Sequence, residues 1–351
     1  MILVTGGAGF IGSNFIHNWF TNSEEPIIAL DKLTYAGNLG NLEVLKGRSN
    51  FRFVRTDISN RKIIKKLLRD EKPRAVVNFA AESHVDRSIL SPKPFFETNV
   101  MGTLDFLESC KEYWEGMQEK EKKEFVFLHI STDEVYGALQ KEEDSFVEEN
   151  KLKPNSPYAA SKASSDHIVR SYYKTYNFPT IISNCSNNFG PFQYPEKLIP
   201  LTILNLISGK KVSVYGDGKQ IRDWLYVTDH CVALELILKK GKVGEVYNVG
   251  ANNERRNIDV VKAICNKLEE ILPNKSNSRY VQQIEFIEDR LGHDWRYSIN
   301  SRKIQDELGW KPLASFDLGL EKTINWYIQN REWLENITNT DYKKWILKQY
   351  S

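Results

Sequence analysis

The sequence predicts an α/β protein: a doubly wound, mostly parallel sheet with a smaller C-terminal α/β lobe. Three observations predict it. Short apolar runs alternate with helical patterns through the first half, a glycine-rich turn joins the first run to the first helix, and the alternation loosens after about residue 190. Strands that alternate with helices build βαβ units, whose sheet is parallel and covered on both faces. At about 150 residues per domain, a chain of 351 allows two lobes.

The first run, Ile2-Leu3-Val4-Thr5, is apolar or β-branched throughout, as a strand buried on both faces must be. Further strands are predicted at 27–30, 51–55, 75–79, 125–130 and 180–183. Between them apolar residues recur every three or four positions, which predicts helices over 11–20, 61–68, 95–111 and 161–176. The lysine- and glutamate-rich stretch 115–124 reads as a solvated connection. Beyond residue 190, Pro191, Pro195 and Pro200 punctuate a loop, and a helix over 201–207 ends at Gly209. Helices at 229–238 and 258–272 and strands at 246–249 and near 284–287 complete the smaller lobe. Trp326, Trp333 and Trp345 in the tail read as packing residues.

Composition removes several function classes. Hydrophobic residues at 41% and charged residues at 27% are ordinary globular usage, which excludes disordered and fibrous chains. A net charge of +2 argues against a nucleic-acid partner, yet leaves room for phosphorylated small molecules, which need only one or two placed arginines. No apolar run approaches the ~20 residues of a membrane span, and Met1 leads straight to a glycine cluster, so no secretory leader is expected. Cys110, Cys185, Cys231 and Cys265 form no CxxC pair, which predicts reduced buried thiols in a cytoplasmic protein.

Gly6-Gly7-Ala8-Gly9-Phe10-Ile11-Gly12 follows the first strand and opens the first helix, and it fits both G-x-G-x-x-G and G-x-x-G-x-x-G. Such glycines permit a tight turn, let the backbone approach a pyrophosphate and seat the helix close to the strand. The helix start then offers free N–H groups to the phosphates. Asp31 stands nineteen residues beyond Gly12, near the ~20 expected of a ribose-binding acid. A carboxylate there accepts from a 2′-hydroxyl and repels a 2′-phosphate, so the expected cofactor is NAD on a Rossmann-type sheet. Asp57 is a further contact candidate.

Tyr158 and Lys162 are four apart among helix formers, so both face one side of a helix. A tyrosine titrates near 10, and a neighbouring ammonium together with the positive nicotinamide is expected to pull that down. Ser131-Thr132-Asp133-Glu134 follows an apolar strand directly, the end at which open α/β sheets bind ligands. Two adjacent acids in unlike environments can work as donor and acceptor at one pH. Hydride transfer needs only the tyrosine; the extra acids point to a second proton transfer, as the elimination of water requires.

These segments, with 31–39, 80–88, 185–191, 195–200, 216–224 and 289–294, resemble the extended short-chain dehydrogenase/reductases of the NAD-dependent epimerase/dehydratase family, and within it the 4,6-dehydratases of dTDP-glucose. The Thr-Asp-Glu triplet is the specific part; related 4-epimerases share the frame without that acid pair. The resemblance implies a homodimeric, metal-free lyase. It implies that Tyr158 with Lys162 takes the C4 hydroxyl proton, that Thr132 bonds the C4 oxygen, that Glu134 removes the C5 proton and that Asp133 protonates the leaving C6 hydroxyl. It also implies that Gly6, Gly9, Phe10, Ile11, Gly12, Asp31, Lys32, Leu33, Thr34, Asp57, Ile58, Ala80, Ala81, Thr98 and Asn188 line NAD. Ser83, Asn187, Lys197, Leu198, Tyr215, Arg222, Asn257, Arg290, His293 and Tyr350 are implied for the nucleotide sugar, with Arg222 and Arg290 on its pyrophosphate. Residues 1–190 would then form the NAD domain with the catalytic residues, and 191–351 mainly the nucleotide-sugar lobe, with some chain crossing back. Trp295, Ala138 and Leu291 depart from the family pattern; the Trp295 change, near the nucleotide end, leaves thymidine against uridine open.

Overall fold

The computed structural model describes residues 1–274, 279–338 and 340–350. In chain order the first strands are β1 (Ile2–Thr5), β2 (Ile27–Asp31), β3 (Phe51–Arg55), β4 (Ala75–Asn78), β5 (Val126–Thr132) and β6 (Thr180–Cys185). β1, β2, β4 and β6 are buried at every position. In β3 the alternation Phe-Arg-Phe-Val-Arg leaves both arginines exposed, and that strand lies at the sheet's edge. The helices between are α1 (Phe10–Asn22), α2 (Arg61–Glu71), α3 (Val85–Leu90), α4 (Lys93–Phe95), α5 (Thr103–Glu115), α6 (Glu119–Glu124) and α7 (Pro157–Tyr176).

The remainder contributes β7 (Asn187–Phe189), α8 (Leu198–Ile207), β8 (Val212–Tyr215), β9 (Ile221–Tyr226), α9 (Val227–Lys240), β10 (Val246–Val249), β11 (Glu254–Arg256), α10 (Asn257–Ile271), β12 (Ile284–Ile287), α11 (Arg302–Leu308), α12 (Phe316–Gln329), α13 (Arg331–Ile337) and α14 (Thr340–Tyr350). Seven strands form one parallel sheet in the order β10-β6-β5-β4-β1-β2-β3. The order reverses between β1 and β4, and a doubly wound sheet opens its ligand crevice at such a switch point, outside the carboxyl ends of the strands. One face is sealed by α1, α9 and α11 around Phe15, Trp19, Leu234 and Trp310. The other is sealed by α2, α5 and α7 around Leu67, Phe106, Phe127 and Phe178. A separate core around Ile203, Val214, Val261, Leu320 and Tyr327 joins α8, α10 and α12 to β8 and β9.

Several expectations are corrected. Strand β5 runs past residue 130, so Ser131 and Thr132 belong to the sheet. The span 95–111 is not one regular helix: α4 passes through a π-helical turn, Phe96–Gly102, before α5 begins. The solvated stretch 115–124 contains α6, which buries no side chain and is held by a Gln118/Glu121 capping box. Helix α8 starts at Leu198 rather than 201, with Pro200 in its first turn, where a missing N–H costs nothing. Strand 246–249, read with the smaller lobe, pairs with β6 and completes the large sheet. Trp326 packs on Phe192 and Trp333, whereas Trp345 lies 4.0 Å from the Arg87 guanidinium, beside the cleft.

Candidate active site

At the carboxyl edge of the sheet lies a cleft of about 420 Å³. Its floor at the β1 end is the glycine turn. Gly6 has φ +63°, and a Cβ there would stand 2.9 Å from the Ala80 nitrogen. A Cβ on Gly12 would stand 2.2 Å from the Gly6 carbonyl oxygen. Only glycine lets the strand and helix close this tightly. Gly9 caps α1 without any side chain on the first N–H groups, and no acid occupies the first turn. That leaves the positive end of the helix open to an anion, and the cradle fits a dinucleotide pyrophosphate.

Asp31 ends β2 and accepts from the backbone nitrogens of Leu33 (2.8 Å) and Ala8 (3.2 Å). Burial raises its carboxyl above the ordinary range, and those two bonds oppose the rise. Lys32 is engaged locally, its ammonium 3.1 Å from Thr98 Oγ1 and 3.5 Å from Asp57, so it is not held out for a 2′-phosphate. Leu33 departs from its expected place: at φ 59° its side chain turns from the cleft and packs on the core. The other residues expected to line the cofactor do line this end of the cleft.

At the middle of the cleft β5 ends in Thr132, which caps a short turn by accepting from the Glu134 nitrogen at 3.4 Å. This turn presents both acids to the cleft. Asp133 is buried; Oδ1 accepts from the Thr132 hydroxyl at 3.3 Å and Oδ2 has no hydrogen-bond partner. Burial, reinforced by the charges of Glu134 and Asp223, pushes its carboxyl far up. Burial also raises Glu134, but Lys197, Arg290 and Arg222 pull it back. The two neighbours are thus separated in acidity: a protonated Asp133 can donate while an ionised Glu134 accepts.

Opposite them, α7 begins with Ser156 accepting from the Ala159 nitrogen at 3.1 Å and Pro157 in the first turn. This start places Tyr158 in the cleft wall and Lys162 one turn deeper. The Tyr158 nitrogen donates to Ser88 Oγ at 3.1 Å, and Lys162 Nζ donates to the Ile130 carbonyl at 2.8 Å. Here the part of the expectation that rests on the lysine is corrected. The Tyr158 phenol is not lowered by the chain's own groups; burial and the charge of Glu134 push it well up, with the Thr132 hydroxyl opposing. The lysine that was to lower it is bonded beneath the sheet edge, and its own ammonium is weakened by burial.

The far end holds the cations. Arg222 donates to the Ile221 and Asp294 carbonyls at 2.7 and 3.0 Å and lies 4.3 Å over the Tyr297 ring. Arg290 pairs with Asp86 at 3.0 Å, and its Nε is buried without a partner. Lys197 Nζ donates to the Ser83 carbonyl at 2.7 Å. His293 is bonded to Asp289 at 2.6 Å, and burial pushes it down to about 4. Leu198, Tyr215, Asn257 and Asn187 line the same end, while the side chain of Tyr350 lies outside the described residues. Asp86, Glu196, Tyr297 and Gln349 also line the cleft and were missed by sequence reasoning. Asp86 was legible in one respect, since a buried arginine needs an acid, but nothing in its own neighbourhood names the partner 204 residues away.

Residues 3–323 match the family model described as GDP-mannose 4,6 dehydratase. A dTDP-glucose 4,6-dehydratase of Shigella flexneri is 48% identical over 99% of this chain and 98% of its own. A crystal structure of the Bacillus anthracis dTDP-glucose 4,6-dehydratase in complex with NAD is 46% identical, covers 96% of this chain and 99% of its own, and superposes with a TM-score of 0.85. A dTDP-glucose 4,6-dehydratase of Streptomyces venezuelae, also with NAD bound, gives 41% identity, the same coverage and a TM-score of 0.87.

Proposed function

The chain belongs to the GDP-mannose 4,6 dehydratase family, and on that premise we propose that it converts dTDP-glucose to dTDP-4-keto-6-deoxy-glucose, with NAD held on the glycine cradle. One observation carries the reading: two neighbouring carboxyls of unlike acidity, Asp133 and Glu134, face the same cleft as Tyr158. NAD, when bound, supplies a hydride acceptor at C4 that is regenerated by delivery to C6.

The chain's own residues handle the protons. Tyr158 Oη takes the proton of the C4 hydroxyl, and Thr132 Oγ1 bonds the C4 oxygen as it becomes a ketone. The ketone acidifies C5, so Glu134 can remove that proton while Asp133 protonates the departing C6 hydroxyl. Glu134 then returns its proton to C5. Arg222 and Arg290 neutralise the pyrophosphate, a task for which paired guanidinium donors are suited. Residues 1–190 serve as the NAD domain and 191–351 mainly as the nucleotide-sugar lobe, with β10 crossing back to the first sheet.

We also propose a cytoplasmic homodimer. Free, buried thiols at Cys110, Cys185, Cys231 and Cys265 suit a reducing compartment. The apolar side chains of Leu90, Phe96 and Met101 are exposed near the α5–α7 side of the sheet, and light scattering would read a mass of two chains. The activity is tested by incubating purified protein with NAD and either dTDP-glucose or UDP-glucose and weighing the products. Loss of one water from the thymidine sugar supports the reading; an isomer of unchanged mass would replace it with a 4-epimerase.

A further inference from the structure

The buried ammonium of Lys162 raises a question that the catalytic groups do not answer: what neutralises it. Its hydrogen bond goes to a neutral carbonyl, Ile130. His129 Nε2 stands 3.4 Å away but is not free to accept, as the bonds behind it show. The Ala80 nitrogen donates to Thr5 Oγ1 (3.2 Å), so the Thr5 hydroxyl donates to Asn78 Oδ1 (2.6 Å). The Asn78 amide nitrogen then faces His129 Nδ1 at 3.1 Å and donates to it. The histidine proton is therefore on Nε2, which points at Ser165 Oγ (3.2 Å) and Asp166 Oδ1 (3.5 Å). Burial holds His129 neutral.

Asp166 is one helical turn beyond Lys162, as Lys162 is beyond Tyr158, so the three share a face of α7. Its Oδ2 accepts from Ser131 Oγ at 2.7 Å, and Ser131 belongs to the strand end that bears the acid pair. Among the described residues Lys162 makes no ion pair within 4 Å; His129 Nε2 stands between the two charges, 3.4 Å from the ammonium and 3.5 Å from Asp166 Oδ1. Burial weakens the ammonium, and of the groups around it, Tyr158 and Asp166 from α7, His129 from β5, Cys185 from β6 and the acids of the β5 turn, Asp166 and then Cys185 oppose that loss. We infer that Asp166 is a positioning residue for the reaction: it supports the charge of Lys162 from across the His129 ring, oriented by Ser131 and by the Ala80–Thr5–Asn78–His129 chain that starts at the cofactor cradle.

This inference rests on the proposed role of Lys162, and its test is kept separate from it. The titration of the Lys162 side chain is followed by NMR in full-length protein labelled with [ε-13C]lysine, its resonance identified by loss in Lys162→Met. Asp166→Asn should lower the Lys162 midpoint by about one pH unit or more; Ser131→Ala should lower it by less. In turnover of dTDP-glucose the alkaline limb of the Asp166→Asn profile should move down, because Lys162 gives up its proton at a lower pH. A role confined to packing would scale the profile without moving either limb. An unchanged midpoint in Asp166→Asn, or in Ser131→Ala where Asp166→Asn does not fold, overturns the inference. A wild type that fails to dehydrate the sugar while the midpoint still shifts would sink the dehydratase reading alone.

Discussion

The dinucleotide end and the hexose-facing middle of the cleft each hold a buried acid where a strand of the same sheet ends, and the acids are treated differently. At the dinucleotide end Asp31 gives both oxygens to backbone N–H groups and so holds the turns on either side of it. In the hexose-facing middle Asp133 has one oxygen without any partner and no cation bonded to it. Burial opposes ionisation at both, but only at Asp31 does the backbone offset it. An acid that shapes a binding surface is satisfied by the fold. The acid proposed to give up a proton is left unsatisfied, at a cost in stability that the rest of the chain offsets.

The comparison breaks most easily in the hexose-facing middle. Glu134→Gln should lower dehydration by roughly 10²–10⁴, the usual span for a general base, while C4 oxidation continues and NADH absorbance accumulates. Tyr158→Phe should fail earlier, with a similar loss and no NADH. Dehydration at the normal rate by Glu134→Gln would remove that residue from the mechanism. Appreciable NADH from Tyr158→Phe would do the same for the phenol.

The dinucleotide end should fail through binding rather than chemistry. Gly12→Ala puts a carbon 2.2 Å from the Gly6 oxygen, so strand and helix must separate. NAD affinity, measured by calorimetry, should fall by roughly tenfold or more, and the melting temperature with it. Gly309→Ala meets nothing within 4 Å and bears only the strain of φ +73°, so NAD affinity there should hold.

A finer contrast concerns the two acids themselves. Asp31→Ala orphans two buried donors and should destabilise by about 1–3 kcal/mol. Asp133→Asn runs the other way. A carboxyl whose acidity is weakened on folding is stabilising below its unfolded value and increasingly destabilising as pH rises above it. At pH 7 the amide removes that cost, so stability should hold or rise while turnover collapses. Equal destabilisation by both variants, measured by urea unfolding, would erase the distinction.

Legibility divides along the same line. The glycine turn, Asp31 and the Tyr158–Lys162 spacing are local patterns, and each reads from a dozen residues because the strand, turn and helix that form it are contiguous. The strand at 246–249 reads as a strand but not as the seventh of the large sheet, since its partner β6 lies 64 residues earlier in register. Asp86 and Tyr297 escape because their meaning comes from Arg290 and Arg222, which reach them only through the tertiary fold. The acidity of Tyr158 escapes for a related reason: spacing reports which side chains share a helix face, not that burial and the charge of Glu134 on another element push the phenol up.

The smallest effect concerns the histidines around the site. Burial pushes His84 down to about 3 and His129 to about 4. Both are therefore neutral in the folded chain at a pH where the unfolded chain, titrating near 6.5, takes up protons. Their contribution is complete above about pH 6.5 and is lost as pH falls toward the folded values, each proton costing about 1.4 kcal/mol per pH unit. His84 accommodates this at the hexose end, bonded to the Glu196 carbonyl at 3.3 Å and edge-on to Trp345. His84→Gln keeps an amide donor for that carbonyl but cannot titrate, so between pH 6.5 and 5.5 it should lose up to about 1 kcal/mol less stability than the wild type. Chemical unfolding at the two pH values measures the difference, and parallel losses in the two proteins would mean that His84 takes up its proton at the same pH folded as unfolded.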